Sequence, residues 1–370
     1  MNGDEIEVVY RVRSAAASVG ARAEALLLEQ TVELPRRAIR SEFVLRRLVG
    51  RVASTEALGA DLFRVTLAQP ALAAEGDPAQ LLNVLFGNCS LQADVELEDV
   101  RLPPSLVRAL GGPRFGAAGL RRLAGVRGRA LTASVLKPIG LPVPEMAGLC
   151  RTLALSGLDF IKDDHGLADH SFSPFTERVS ACLAATEGAA RETGHRSIYV
   201  PNLTGAPETM RRQARQAREL GARVVMVSPM LVGLPFFNEF ARDLGLPVLA
   251  HPAFGGAQRI APLALLGRLF PAFGADAVIY PNAGGRFGYG RDECLRIAGA
   301  LRSPASAILP SLPVPAGGIR TESVPAVLES YGAETMLLIG GSLLESPDAE
   351  TLLSRCRQFV EAVHSFPYPK

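Results

Sequence analysis

From residue 130 onward, short apolar runs alternate with helical patterns, and this narrows the fold more than any other feature of the chain. The runs fall at 130–136, 159–164, 197–204, 222–229, 247–253, 277–282, 308–317 and 335–341. Leucine, valine and isoleucine fill them without a period of two, as parallel strands buried on both faces require. Amphipathic stretches at 145–155, 176–193, 207–220, 292–301 and 348–364 lie between and after them. Glycine precedes the return to a strand at Gly157, Gly221, Gly274 and Gly332, where a left-handed cap turns the chain back. Eight such units over about 240 residues match a (β/α)8 TIM barrel. A doubly wound sheet is the alternative, but it seldom needs eight repeats.

The first part of the chain has a different rhythm. A strand at 6–12 leads into an alanine-rich helix at 21–29, and a strand at 62–67, a helix at 78–85 and a strand at 91–97 follow. The chain therefore divides into a small N-terminal α+β (ferredoxin-like) domain over 1–125 and a catalytic barrel over 126–370, with a Gly- and Arg-rich join at 110–129.

Composition excludes several classes of function. A net charge of +2 lacks the basic surplus that nucleic acid draws. The five cysteines are dispersed, odd in number and without a CxxC pair, which fits reduced thiols in a cytoplasm. The start, MNGDEIEVVY, lacks the basic and apolar segments of a signal peptide, and no apolar run reaches the ~18 residues of a membrane span. The expected protein is soluble and cytoplasmic.

Of 39 lysine and arginine residues only three are lysine: Lys137, Lys162 and Lys370. Arginine cannot lose its proton or form a carbamate or imine, whereas a lysine amine can do all three. Two internal lysines surviving such a bias point to places where an amine is needed. Both fall at strand ends, where barrels put their chemistry. So do Asp163, Asp164, His165, Asn202, His251, Asn282, Arg286 and the pairs Gly317-Gly318 and Gly340-Gly341. Along the second strand, alternation puts Lys162 and Asp164 on one side and Asp163 on the other, with His165 at the loop. Carboxylates there suit a hard divalent cation such as Mg2+, with a histidine as a further ligand. The plainer alternative is a Lys–Asp salt bridge beside an exposed His. Glycine pairs after the last two strands fit a phosphate cradle, or ordinary turns if taken singly.

Together these segments resemble the large subunit of RuBisCO, and more closely the RuBisCO-like proteins (form IV) that do not fix carbon dioxide. The likeness is strongest from Asn88 to Gly341. The stretch Ser156-Gly-Leu-Asp-Phe-Ile-Lys-Asp-Asp-His165 matches the metal-site motif except at its last residue. On that resemblance Lys162 is the carbamylated lysine, with Asp163, Asp164 and His165 around the metal. Lys137 is the proton-abstracting lysine, and Asn202, in the third-strand segment, and Arg286 are substrate- or phosphate-binding residues. His251 is the substrate-side histidine, and Gly317, Gly318, Gly340 and Gly341 hold phosphate. Glu29 and Asn88 resemble residues that reach into a neighbouring subunit's active site, which implies a homodimer. Departures remove carboxylase parts: His165 replaces a glutamate ligand, Pro252 an arginine, Gly255 a histidine, Ala316 a serine, and Arg286 the lysine that approaches carbon dioxide. The expected activity is a Mg2+-assisted enolisation, isomerisation or decarboxylation of a phosphorylated ketose or 3-oxo-sugar acid. The rival expectations are a Schiff-base lyase using Lys162 or Lys137, and a degenerate barrel with a binding or regulatory role.

Overall fold

The computed structural model describes residues 4–303 and 308–369. Four antiparallel strands, β1 (Glu5–Arg13), β2 (Arg51–Ala57), β3 (Leu62–Pro70) and β4 (Val95–Arg101), form a sheet in the order β2-β3-β1-β4. Helix Val19–Thr31 connects β1 to β2, and helix Pro78–Phe86 connects β3 to β4. This βαββαβ order is the ferredoxin-like one the sequence suggests. Helix Pro78–Phe86 begins as its sequence dictates: Asp77 accepts from the Gln80 N–H at 2.7 Å, and Pro78 occupies the first turn.

Two details differ from expectation. Strand β2 escapes sequence reading because it lies exposed along nearly its whole length, with no buried face to impress a pattern. Strand β4 starts at Val95, because Asn88–Leu91 turns in a 3-10 helix that leaves Leu91 exposed.

The second sheet is an eight-stranded parallel barrel. Its strands are β5 (Leu131–Leu136), β6 (Phe160–Asp163), β7 (Ile198–Val200), β8 (Val225–Val227), β9 (Val248–Ala250), β10 (Ala277–Pro281), β11 (Leu312–Ala316) and β12 (Met336–Leu338). Every strand falls inside a run expected from the sequence. The order is β7-β6-β5-β12-β11-β10-β9-β8, and a bridge between Asn202 and Met226 joins the two free edges. Alternate residues such as Ala133, Phe160, Val200, Met226, Ile279 and Val314 fill the interior.

A floor closes one end. Helix Gly116–Ala124, in the segment expected to be a join, packs Ala117 and Leu120 onto that interior. Buried Asp276, just before β10, accepts from the backbone N–H groups of Phe115 (2.7 Å), Gly116 (2.6 Å) and Val248 (2.9 Å). The helix start is thereby pinned beneath the N-terminal ends of β9 and β10. The open mouth lies at the opposite, C-terminal ends.

Helix Leu234–Leu244 and the helical segment from Leu263 to Ala272 were not among the expected helices. The second is buried at all but one of its positions, packed against β4 and helix Arg291–Arg302, so it carries no amphipathic period. The same seam covers the outer edge of β4. The Leu97 N–H donates to Arg259 O (3.0 Å), and the Ala261 N–H donates to Leu97 O (2.8 Å). All five cysteines are buried free thiols. Among the described residues, no helix is long and apolar enough to cross a membrane.

Candidate active site

Inward alternation along the strands delivers a set of polar groups to the barrel mouth. Lys137 follows the last residue of β5, Lys162 lies two residues after inward-facing Phe160, and Asp164 lies two further on. Lys137 Nζ sits 2.9 Å from Asp164 Oδ2, with the lysine side chain 40% exposed and the aspartate 5%. Asp164 Oδ1 accepts from the Gly166 N–H at 3.0 Å and lies 3.3 Å from His165 Nδ1. Burial would raise the Asp164 carboxyl, but the Gly166 N–H and the two lysines hold it below the usual carboxylate range. It is an anion braced by cations.

Lys162 is buried, and its ammonium donates to Asp163 O at 3.0 Å. Burial pushes this amine down to about 8, against the pull of Asp164 and with the push of Lys137. His251, one residue beyond β9, stacks its ring on His165 with centroids 4.1 Å apart and planes 10° apart. Burial holds His251 well below the ordinary histidine value, and the charges of Lys162, His165 and Lys137 push the same way. Its Nδ1 accepts from the Ala253 N–H at 3.1 Å, so the neutral ring carries its proton on Nε2. Burial likewise lowers His165 despite Asp164, and the charge of Arg286 on the β10 loop adds to the shift.

Two expected site residues take other places. Asp163 points away from the mouth and does not join the ligand set. Its Oδ2 accepts from Arg178 Nε (3.2 Å) and from the Asn202 N–H (3.1 Å), and its Oδ1 accepts from the Tyr199 hydroxyl (2.7 Å). Both oxygens are spent in a fully buried network. Asn202 does not offer its amide N–H groups to a substrate either. Its Nδ2 donates to His165 O (3.0 Å) and Leu167 O (2.9 Å), fastening the β6 loop. Arg178 and Tyr199 are the functional neighbours that sequence reasoning missed. Tyr199 sits in an apolar strand run, which marks a packed residue as readily as a functional one, and Arg178, between Glu177 and Val179, carries no local signal.

The glycines divide in two. A Cβ on Gly318 would meet Gly285 Cα at 2.5 Å, and one on Gly340 would meet Val135 Cγ1 at 2.7 Å, so close packing already requires glycine at both. Gly341 has open space around it, and Gly317, at φ +76°, would meet only the Phe287 ring edge at 3.7 Å. Arg286 is exposed, its guanidinium 4.9 Å from the Phe287 ring centroid. Glu29 and Asn88 bond each other, Asn88 Nδ2 donating to Glu29 Oε1 at 2.9 Å on the N-terminal domain. Among the described residues, no hydrogen bond or ion pair joins them to the lysine cluster of the same chain.

A cavity of about 550 Å³ lies elsewhere, between helix Pro78–Phe86 and the loops after β8 and β9. It is lined by Phe86, Leu97, Met230, Leu234 and Ile260, and its one cation, Arg259, is already bonded to Val95 O and Gln92 O. It is a packing seam.

Among the described residues, no three His, Cys, Asp or Glu side chains stand together as a metal cage. Asp164 and His165 are two donors, and the third inward position is Lys162, whose amine becomes an oxygen donor only as a carbamate. With that modification the donor chemistry fits a hard divalent cation.

Comparison with known proteins places these residues in context. The family described as ribulose bisphosphate carboxylase large chain, catalytic domain, matches residues 116–257. The ribulose bisphosphate carboxylase-like protein 1 of Rhodopseudomonas palustris is 47% identical over 98% of both chains. The 5-methylthioribulose-1-phosphate isomerase of Rhodospirillum rubrum is 46% identical over 94% of both. The crystal structure of a RuBisCO-like protein from Rhodopseudomonas palustris superposes with a TM-score of 0.91 at 43% identity, covering 100% of both chains.

Proposed function

We propose, from the premise that this chain belongs to the ribulose bisphosphate carboxylase-like (form IV) branch of the RuBisCO large-chain family, that it is a non-carboxylating enzyme of phosphorylated ketoses. It withdraws a proton beside the carbonyl, passes through an enolate and returns the proton at another carbon. The substrate class is that of 5-methylthioribulose 1-phosphate, for which the 46%-identical relative is named an isomerase.

The observation that carries this reading is the convergence of Lys137, Asp164, Lys162 and His251 on one mouth. Lys137 moves the proton, and Asp164 fixes its Nζ at 2.9 Å. His251 offers Nε2–H to the oxygen on which charge develops, while the Ala253 N–H locks that tautomer. Backbone N–H groups at Gly317, Gly318, Gly340 and Gly341 face the phosphate, aided by the Arg286 charge. Asp164, His165 and a carbamate on Lys162 would hold Mg2+, which would supply electrophilic stabilisation of the oxyanion. On the family resemblance, Pro252, Gly255 and Ala316 stand where the carboxylase has an arginine, a histidine and a serine, and Arg286 where it has its carbon dioxide-facing lysine. Those losses support a reaction without carboxylation.

Glu29 and Asn88 complete the site of a second copy, which makes the working form a homodimer. The test is direct incubation with 5-methylthioribulose 1-phosphate, following product and solvent deuterium by NMR.

A further inference from the structure

The motif carries two adjacent aspartates, yet only Asp164 faces the chemistry. We infer that Asp163 and Arg178 form a positioning clamp that holds the β6 loop, and with it His165, against the lysine cluster. The inference rests on the proposed function above.

The clamp is built from the outward side of β6. Arg178 comes from the first turn of helix Phe175–Thr193, and its side chain, like that of Asp163, is 0% exposed. Its Nε holds Asp163 Oδ2, while its Nη1 donates to Ala168 O (3.1 Å) and Ser173 O (2.7 Å). One guanidinium thus ties the end of β6 to two points of the loop. Asp163 is the hub of a second tie. It accepts from the Asn202 N–H, and the Asn202 side chain donates to His165 O and Leu167 O. Loop residues 165, 167, 168 and 173 are therefore fastened through one buried carboxylate. Asp163 O, on the same residue, also accepts from Lys162 Nζ.

A lone buried carboxylate would be costly, and a buried pair stabilises little beyond an apolar one. Charge balance could be met by any cation. A planar fork that also reaches two carbonyls is a property of arginine. Neither side chain reaches the open mouth, so Asp163 and Arg178 act through His165 and Lys162 and touch no substrate.

The experiment uses the intact protein with Arg178→Lys, Asp163→Asn and Tyr199→Phe. The last removes only a hydroxyl and guards against loss of folding in the other two. Amide hydrogen exchange of residues 165–174 is read by mass spectrometry, alongside kcat and KM for 5-methylthioribulose 1-phosphate. Arg178→Lys keeps the charge on Asp163 but loses the fork. It is expected to speed exchange in 165–174 while β5 and β10 stay protected, and to lower kcat about 10- to 100-fold with KM little changed. Tyr199→Phe gives the same pattern more weakly. Wild-type exchange in folded Arg178→Lys overturns the clamp. Faster loop exchange with wild-type kcat overturns its positioning role. An inactive wild type is a failure of the functional reading instead, and the loop exchange still decides whether the clamp exists.

Discussion

Lys137 Nζ and Asp164 Oδ2 stand 2.9 Å apart at the barrel mouth, a half-exposed ammonium held by a buried carboxylate. The pair joins β5 to β6 through side chains of adjacent strands and gives the amine a fixed direction. Lys137→Met is therefore expected to lower kcat by about 10² to 10⁴, the usual contribution of a proton-transfer group. The melting temperature should change little, because the lysine is half-exposed and the Gly166 N–H and Lys162 still stabilise the Asp164 carboxylate. Circular dichroism melting and initial rates on the same sample check both halves.

Lys162 should tolerate no other cation. Lys162→Arg keeps a positive charge in the buried site but cannot form a carbamate, so activity should fall by at least about 10²-fold. Bicarbonate should stimulate the wild type and leave the variant unchanged. Retained activity in Lys162→Arg removes the carbamate role.

The lyase alternative is separated chemically. Borohydride in the presence of substrate should trap no adduct on Lys137 or Lys162, as judged by intact mass. EDTA should abolish turnover, and Mg2+ should restore it. An irreversible mass increase together with chelator-insensitive turnover would favour imine chemistry.

Stability at low pH should depend on Glu98. Burial alone would raise its carboxyl, but the Arg64 fork, with two 2.9 Å bonds, and Arg11 hold it below the ordinary value. A depressed folded pKa means that the stabilisation is full above the unfolded value and is lost as pH falls through the folded one. Glu98→Gln should cost roughly 2 kcal/mol at pH 7 and flatten the acid limb of a stability–pH curve. An unchanged acid limb would contradict the assignment.

The proposed sharing of each site between two copies predicts complementation. Lys137→Met and Asn88→Ala should each be nearly inactive alone. Purified hybrid dimers from co-expression should recover about half of wild-type activity, since one of two symmetric sites is then intact. Hybrids as inactive as their parents would place Asn88 in its own chain's site, and an active Asn88→Ala parent would place it outside the site.

The barrel was legible because each parallel strand is buried on both faces and so written as an apolar run. The division of Lys162 and Asp164 from Asp163 was legible too, because alternation along a strand is local. What Asp163 does was not. Its partner Arg178 is 15 residues away on the next helix, and Tyr199 is 36 away on β7, contacts that only tertiary packing creates. The role of Asn202 was misread for the same reason, since the carbonyls it holds belong to another loop. Strand β2 lacked a buried face, and the segment from Leu263 to Ala272 lacked an exposed one, so neither left a periodic trace. At Gly318 and Gly340 a packing demand and a phosphate site leave the same residue, and the sequence alone reads only the glycine.

In the proposed reaction this mouth moves a proton within a phosphorylated ketose without adding carbon dioxide. The decisive measurement is incubation of the Mg2+- and bicarbonate-treated protein with 5-methylthioribulose 1-phosphate in deuterium oxide, followed by phosphorus and proton NMR. The expected product is an isomeric ketose phosphate with no gain of carbon, absent when Lys137→Met replaces the wild type. Unchanged substrate with no deuterium entering any carbon beside the carbonyl would contradict it.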